Sequence, residues 1–263
     1  MDRISCMILK FIDSLGSCLL SICTELGEFS LFFSKAIFVL FSKKLKTKQV
    51  IIYLHQIGAK SFGIVFLTGL SSGFALAFQS YIGLSKFGGE ELVGTVVALG
   101  MSRELAPVLT AIMITGKAGS AMAAEISTMK ITEQIDALRT LCIDPYQYLI
   151  VPRIIAGTIA LPLLSVISTF CGIIGGYIYS TTAGNINPEI YISTIQYSLD
   201  ILDLTGGIIK AAFFGLILST VGTYVGLNSG EGAQGVGLAT TKSVVVGSIM
   251  ILIANYFLSL ILF

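Results

Sequence analysis

Charge is what this 263-residue chain has least of: only 12% of its residues are charged, against roughly 25% in an average soluble domain. With 54% hydrophobic residues and a mean hydropathy of +0.90, most of its surface must meet something other than water, which excludes an ordinary soluble enzyme. It has a single histidine, His55, and its five cysteines (Cys6, Cys18, Cys23, Cys142, Cys171) form no CxxC pair. No zinc or haem ligand set can be assembled, so no metal or cofactor is expected, and the thiols read as free, small apolar fillers. A formal net charge of +1 gives nucleic acid no footing. No Pro- or Ser-rich linker divides the chain and no internal repeat is visible, which weakens the inverted-repeat architecture of many secondary transporters. Nucleophilic chemistry also lacks its parts, since His55 stands alone in a basic stretch.

What is present is a series of long apolar runs. A hydrocarbon core about 30 Å thick takes about 20 helical residues. Five runs qualify, at approximately 61–80, 92–125, 154–182, 206–227 and 243–263, the second interrupted by Arg103 and Glu104. The fold class is therefore an all-α integral membrane protein, with residues 1–48 as an N-terminal region and 49–263 as one transmembrane domain. In the N-terminal region the most apolar part, Phe29 to Phe41, contains Lys35 and is too short to span; Lys43, Lys44, Lys46 and Lys48 come after it. That pattern suits an amphipathic helix at an anionic membrane surface better than a signal peptide, whose basic residues precede its apolar stretch.

Residues 35–60 carry six Lys or Arg and 117–153 carry four, whereas 81–91 has only Lys86 and 183–205 has none. The positive-inside rule puts the first two segments in the cytoplasm, so the N-terminus is expected inside and the C-terminus outside.

Three segments invite a chemical reading. In Met101–Pro107, MSRELAP, two charges sit in or near hydrocarbon at a cost of at least about 2.5 kcal/mol each. Neighbouring helix residues point about 100° apart, so Arg103 and Glu104 do not neutralise each other face to face. They either snorkel to an interface or face a cavity, partner or ligand, and a guanidinium suits a phosphate head group. Pro107 removes a helical hydrogen bond and is expected to kink the span there. In Met129–Cys142, Ile131, Ile135, Leu138 and Cys142 share one face of a short helix and Thr132, Glu133, Asp136 and Thr140 another. It reads equally as a solvated connector or as a docking surface for a soluble partner. Gly230, Gly232 and Gly235 match GxGxxG, but between two spans rather than in a βαβ unit, so a flexible turn before the last span is the better reading. Gly116-Lys117 is not a P-loop, because Ala111 and Ala118 stand where that motif needs Gly and Ser or Thr. No ATP-hydrolysing site is encoded. Gly69 and Gly73, Gly172 and Gly176, and Gly222 and Gly226 repeat the four-residue spacing of close membrane-helix packing.

Arg103-Glu104-Leu105-Ala106-Pro107, Gly116 to Ala121, Ala124-Glu125-Ile126, Met129-Lys130, Thr132-Glu133-Gln134, Pro152-Arg153 and Ala239-Thr240-Thr241 stand in an order and spacing that resembles the MlaE-type (YrbE-like) permeases of bacterial lipid ABC transporters. The resemblance covers the chain from about residue 45 onward. It departs mildly at Ala106, Lys117 and Ile135, where family members often have Gly, Arg and Leu. It implies a homodimer in the inner membrane of a double-membraned bacterium, and a cytoplasmic coupling helix between spans two and three that docks on a separate ABC ATPase subunit. It implies also a central cavity that hands phospholipid to or from a periplasmic MCE-domain protein. On that footing Arg103 and Glu104 are the lipid-binding candidates, and Glu133, Gln134, Asp136 and Arg139 the ATPase-coupling candidates. The alternatives are a stand-alone, gradient-driven secondary transporter or channel, and a membrane-embedded lipid enzyme.

Overall fold

The computed structural model describes residues 2–42 and 45–263, and every regular element among them is helical. Helix α1 (Asp2–Ser42) belongs to one compact unit and everything from Leu45 to Phe263 to a second. The apolar stretch 29–41 is thus the end of a single 41-residue helix rather than a short helix by itself. Lys43 and Lys44 fall outside the described residues, as do the side chains of Cys6 and Cys18.

Five helical segments of the second unit are long and apolar enough to cross a bilayer: Thr47–Ser85, Glu90–Ile131, Tyr146–Thr182, Ile201–Leu227 and Gly232–Leu262. The first comprises α2 (Thr47–Ile57), a 3-10 turn (Ala59–Ser61) and α3 (Phe62–Ser85). The second comprises α4 (Val93–Gly100), α5 (Ala106–Ile114) and α6 (Ser120–Ile131), joined by π-helical turns at Met101–Leu105 and Thr115–Gly119. A seven-residue helix, α7 (Gln134–Thr140), leads to a π turn (Tyr146–Ile150) and α8 (Val151–Thr182). At the opposite end of the bundle α9 (Pro188–Ser198) precedes α10 (Ile201–Leu227), and α11 (Gly232–Leu262) closes the chain.

In lipid no hydrophobic force draws apolar helices together, so packing depends on close approach. The buried positions of α3 are Val65, Gly69, Gly73 and Ala77, and those of α11 are Gly235, Ala239, Ser243, Gly247 and Ile251. Both sets are spaced by four and so make one narrow, mostly small-residue stripe. The other faces expose Phe62, Phe66 and Leu67 on α3 and Leu252, Phe257 and Leu260 on α11, as a bilayer-facing surface does. The long helix α8 sits between α3 and α10; a Cβ at Gly73 would collide with Gly172, and one at Gly215 with the Gly157 carbonyl.

Two sequence expectations are corrected. The last span begins near Gly232, not Ser243, and only residues 228–231 separate it from α10. The glycines there serve a tight turn: Gly232 has φ +72°, and a Cβ on Gly235 would meet the Gly230 carbonyl. Met129–Cys142 is not one helix either. Span two continues to Ile131, Glu133 takes a left-handed conformation (φ 57°) that turns the chain, and α7 then starts at Gln134.

Candidate functional site

The charges of MSRELAP find their partners on α10 and α11. Asp203 and Lys210 are seven residues apart on α10, two turns along one face. Arg103 donates from Nε to Asp203 Oδ1 at 2.8 Å, and its NH2 lies 2.7 Å from the same oxygen. Lys210 donates to Glu104 Oε1 at 2.7 Å, to Ser259 Oγ at 2.7 Å and to the Arg103 carbonyl at 3.0 Å. Ser259 donates to Glu104 Oε1 (2.9 Å) and the Asn255 side-chain amide to Oε2 (3.1 Å). The ring of Phe263, one turn beyond Ser259, lies 5.0 Å from both the Arg103 guanidinium carbon and Lys210 Nζ. Two cations and two anions thus form a neutral quartet, which is how charge persists in a membrane span.

Local chain chemistry explains the geometry. Pro107 has no N–H to donate to the carbonyl four residues before it, that of Arg103, and Lys210 takes that acceptor. The break expected at Pro107 takes the form of a π turn over Met101–Leu105. Gly207 lets α10 come close enough for Lys210 to reach: a Cβ there would strike the Ser102 carbonyl oxygen. At the start of α10, Asp200 and Asp203 form a reciprocal capping box, so Asp203 is held by its own helix terminus as well as by Arg103.

The quartet is one-sided in its burial. Lys210 is fully buried and the Asp203 side chain 4% exposed, whereas the side chains of Arg103 and Glu104 are each 41% exposed. The span-two members present a polar edge at the protein's surface, and the α10 members brace it from within. Sequence reasoning singles out Arg103 and Glu104 but passes over Lys210 inside its apolar run and reads Asp203 as a loop residue. A readable signal exists: an anion and a cation two turns apart on one face, matching a cation and an anion on another span.

At the other end of the bundle, Glu133, Gln134, Asp136 and Arg139 are all exposed, and Asp136 pairs with Arg139 at 2.9 Å. The apolar side of α7 docks as its pattern implied, though more narrowly. Ile135 is buried with Ile126 and Leu149 and Leu138 packs against them, while Ile131 and Cys142 stay exposed. This corner is fastened by Lys130 Nζ on the Ser229 carbonyl (2.7 Å) and by a buried Arg153. Arg153 is 2% exposed, pairs with Glu125 at 2.9 Å, donates to the Leu149 carbonyl at 3.1 Å and stacks over Tyr53 at 4.3 Å. Among the described residues no cluster of three or more His, Cys, Asp or Glu is placed to hold a metal.

Residues 50–261 match the family model described as Permease MlaE. The chain is 41% identical over 253 residues to a Rickettsia felis protein named "Probable ABC transporter permease protein", covering 96% of this chain and 98% of that one. It is 38% identical over 220 residues to a similarly named Synechocystis protein, covering 84% of each. It is 34% identical over 265 residues to the Haemophilus influenzae "Intermembrane phospholipid transport system permease protein MlaE", covering 98% of this chain and 99% of that one.

Proposed function

This chain belongs to the MlaE permease family, and we propose on that basis that it is the membrane-spanning subunit of an ABC transporter that moves phospholipid between the inner membrane and a periplasmic MCE-domain carrier. A separate cytoplasmic ATPase drives it, and two copies of the chain form the lipid passage. The N-terminus and the α7 end of the bundle face the cytoplasm, and α9 and the C-terminus face the periplasm. Lys60, Lys117, Lys130, Arg139 and Arg153 all lie toward the α7 end, while Glu189 and Asp200 lie at the other.

The observation that carries the lipid role is the half-exposed Arg103 at the edge of the neutral quartet. Its Nε and NH2 are engaged by Asp203, and the rest of the guanidinium fork remains for a phosphate oxygen. Glu104, held by Lys210, Ser259 and Asn255, braces the site. Arg103→Ala would leave Asp203 buried and unpaired, so the test is the neutral swap Arg103→Gln with Asp203→Asn. Phospholipid retained by the purified dimer is expected to fall about tenfold, the value of one lost charge-assisted hydrogen bond. Unchanged lipid content in an intact dimer removes Arg103 from the passage.

Glu133, Gln134, Asp136 and Arg139 form the polar face offered to the ATPase. Glu133→Lys keeps the turn but reverses a contact charge, and co-purification of the ATPase is expected to drop severalfold; normal assembly would refute the docking role. Purification of tagged chain in mild detergent, with mass spectrometry of the polypeptides and lipids that accompany it, tests the whole reading. A Walker-motif ATPase, an MCE-domain protein and phospholipid are the expected companions. An intact dimer alone, with gradient-driven flux in liposomes, would point to the secondary transporter.

A further inference from the structure

A cavity of about 160 Å³ opens where the 3-10 turn between α2 and α3 meets the second span, and Tyr53, Gln56, Lys60, Lys117 and Glu125 are among its lining residues. The quartet around Arg103 does not contribute to it. Lys117 lies fourteen residues after Arg103 on the same span, which is about 21 Å along a helix, so the two places are well apart.

The charges around this cavity do not balance. Glu125 is engaged by the buried Arg153, which leaves Lys60 and Lys117 as an excess of two positive charges. Lys117 Nζ donates to the Lys60 backbone carbonyl, which draws it to the 3-10 turn that carries the second lysine. Lys60 Nζ has no acceptor among the described residues. Two ammonium groups around one space repel, and an anion between them turns that repulsion into attraction. Tyr53 and Gln56, whose side chains carry neutral donors, line the same cavity. A compact oxyanion with several acceptor oxygens meets that donor set, whereas a cation or an apolar chain does not.

We propose that this cavity binds a phosphate-bearing anion, through Lys60 and Lys117, as a second site distinct from the one at Arg103. It does not rest on the lipid role of Arg103. The anion is either a lipid head group of the adjoining leaflet or a soluble phosphate, and the same experiment tells them apart. The full chain, purified in detergent, is titrated by calorimetry with short-chain phosphatidylglycerol and, separately, with inorganic phosphate. Saturable binding of at least one is expected, weakened about tenfold or more by Lys60→Gln with Lys117→Gln. Binding of the lipid alone identifies a head-group site, and competition by millimolar phosphate a soluble-anion site. Because Lys117 also ties the 3-10 turn to span two, Lys60→Gln is measured alone; it removes no side-chain bond within the described residues and must still weaken binding. No saturable binding to the native chain, or binding that both lysine variants leave unchanged, overturns the proposal.

Discussion

Lys210→Met is expected to cost the folded protein about 3 kcal/mol, the lower end of the penalty for removing one member of a buried ion pair. Lys210 is fully buried, and its ammonium is the donor to three acceptors at once: Glu104, Ser259 and the carbonyl of Arg103. The last has no replacement from Pro107. The lower end applies because Glu104 is 41% exposed, so its carboxylate regains some solvation when the lysine is gone. Against a total stability of roughly 5–15 kcal/mol, the loss should appear as a marked fall in unfolding temperature of the detergent-purified protein. Lys210→Arg should not rescue it, since a planar fork does not reproduce a point charge with three converging bonds. Glu104→Gln added to Lys210→Met should recover part of the loss. A single variant that unfolds at the native temperature would mean that the quartet contributes nothing to stability.

Gly73→Val should be at least as damaging, for a steric reason. A Cβ at Gly73 would fall on the backbone of Gly172, one at Gly69 would come within 3.0 Å of Ser168, and one at Gly175 would strike the Leu70 carbonyl. Backbone therefore meets backbone along the α3–α8 crossing. Overpacked side chains typically cost about 1–3 kcal/mol because neighbours shift; here no side chain is available to shift, so the helices must part. Loss of folded protein is the expected outcome, read as aggregation on size exclusion. Gly83 on the same helix has nothing within 4 Å of a built Cβ, so Gly83→Ala should be neutral or slightly stabilising. Equal behaviour of the two variants would refute the close-packing account.

The legibility of the site depends on the range of the interactions. Arg103 and Glu104 stand out because two charges interrupt an apolar run, and the 100° between them correctly denies a mutual pairing. Each is neutralised by a different residue of α10. Lys210 is hidden because one charge in a run of 22 residues barely changes its average hydropathy. The face of α7 is half legible: Ile135 and Leu138 dock as their spacing implies, but the left-handed Glu133 interrupts the helix before Ile131 can join them. No rule of propensity marks a glutamate for that conformation. The start of the last span is misplaced by hydropathy because Gly, Gln and Lys between 232 and 242 lower the average without stopping the helix.

By itself the sequence determined which segments are long and apolar enough to cross a membrane, which carry positive charge and which residues are too costly to be idle. Each of those is a property of a contiguous stretch measured against the thickness and polarity of the bilayer. Only the tertiary structure decided which charges neutralise which, because Arg103 and Asp203 stand 100 residues apart and Glu104 and Lys210 stand 106 apart. Their meeting depends on the Met101–Leu105 π turn and on the bare backbone of Gly207. It likewise placed Lys60 and Lys117 around one cavity, since that arrangement belongs to the packing of two spans and not to either of them alone.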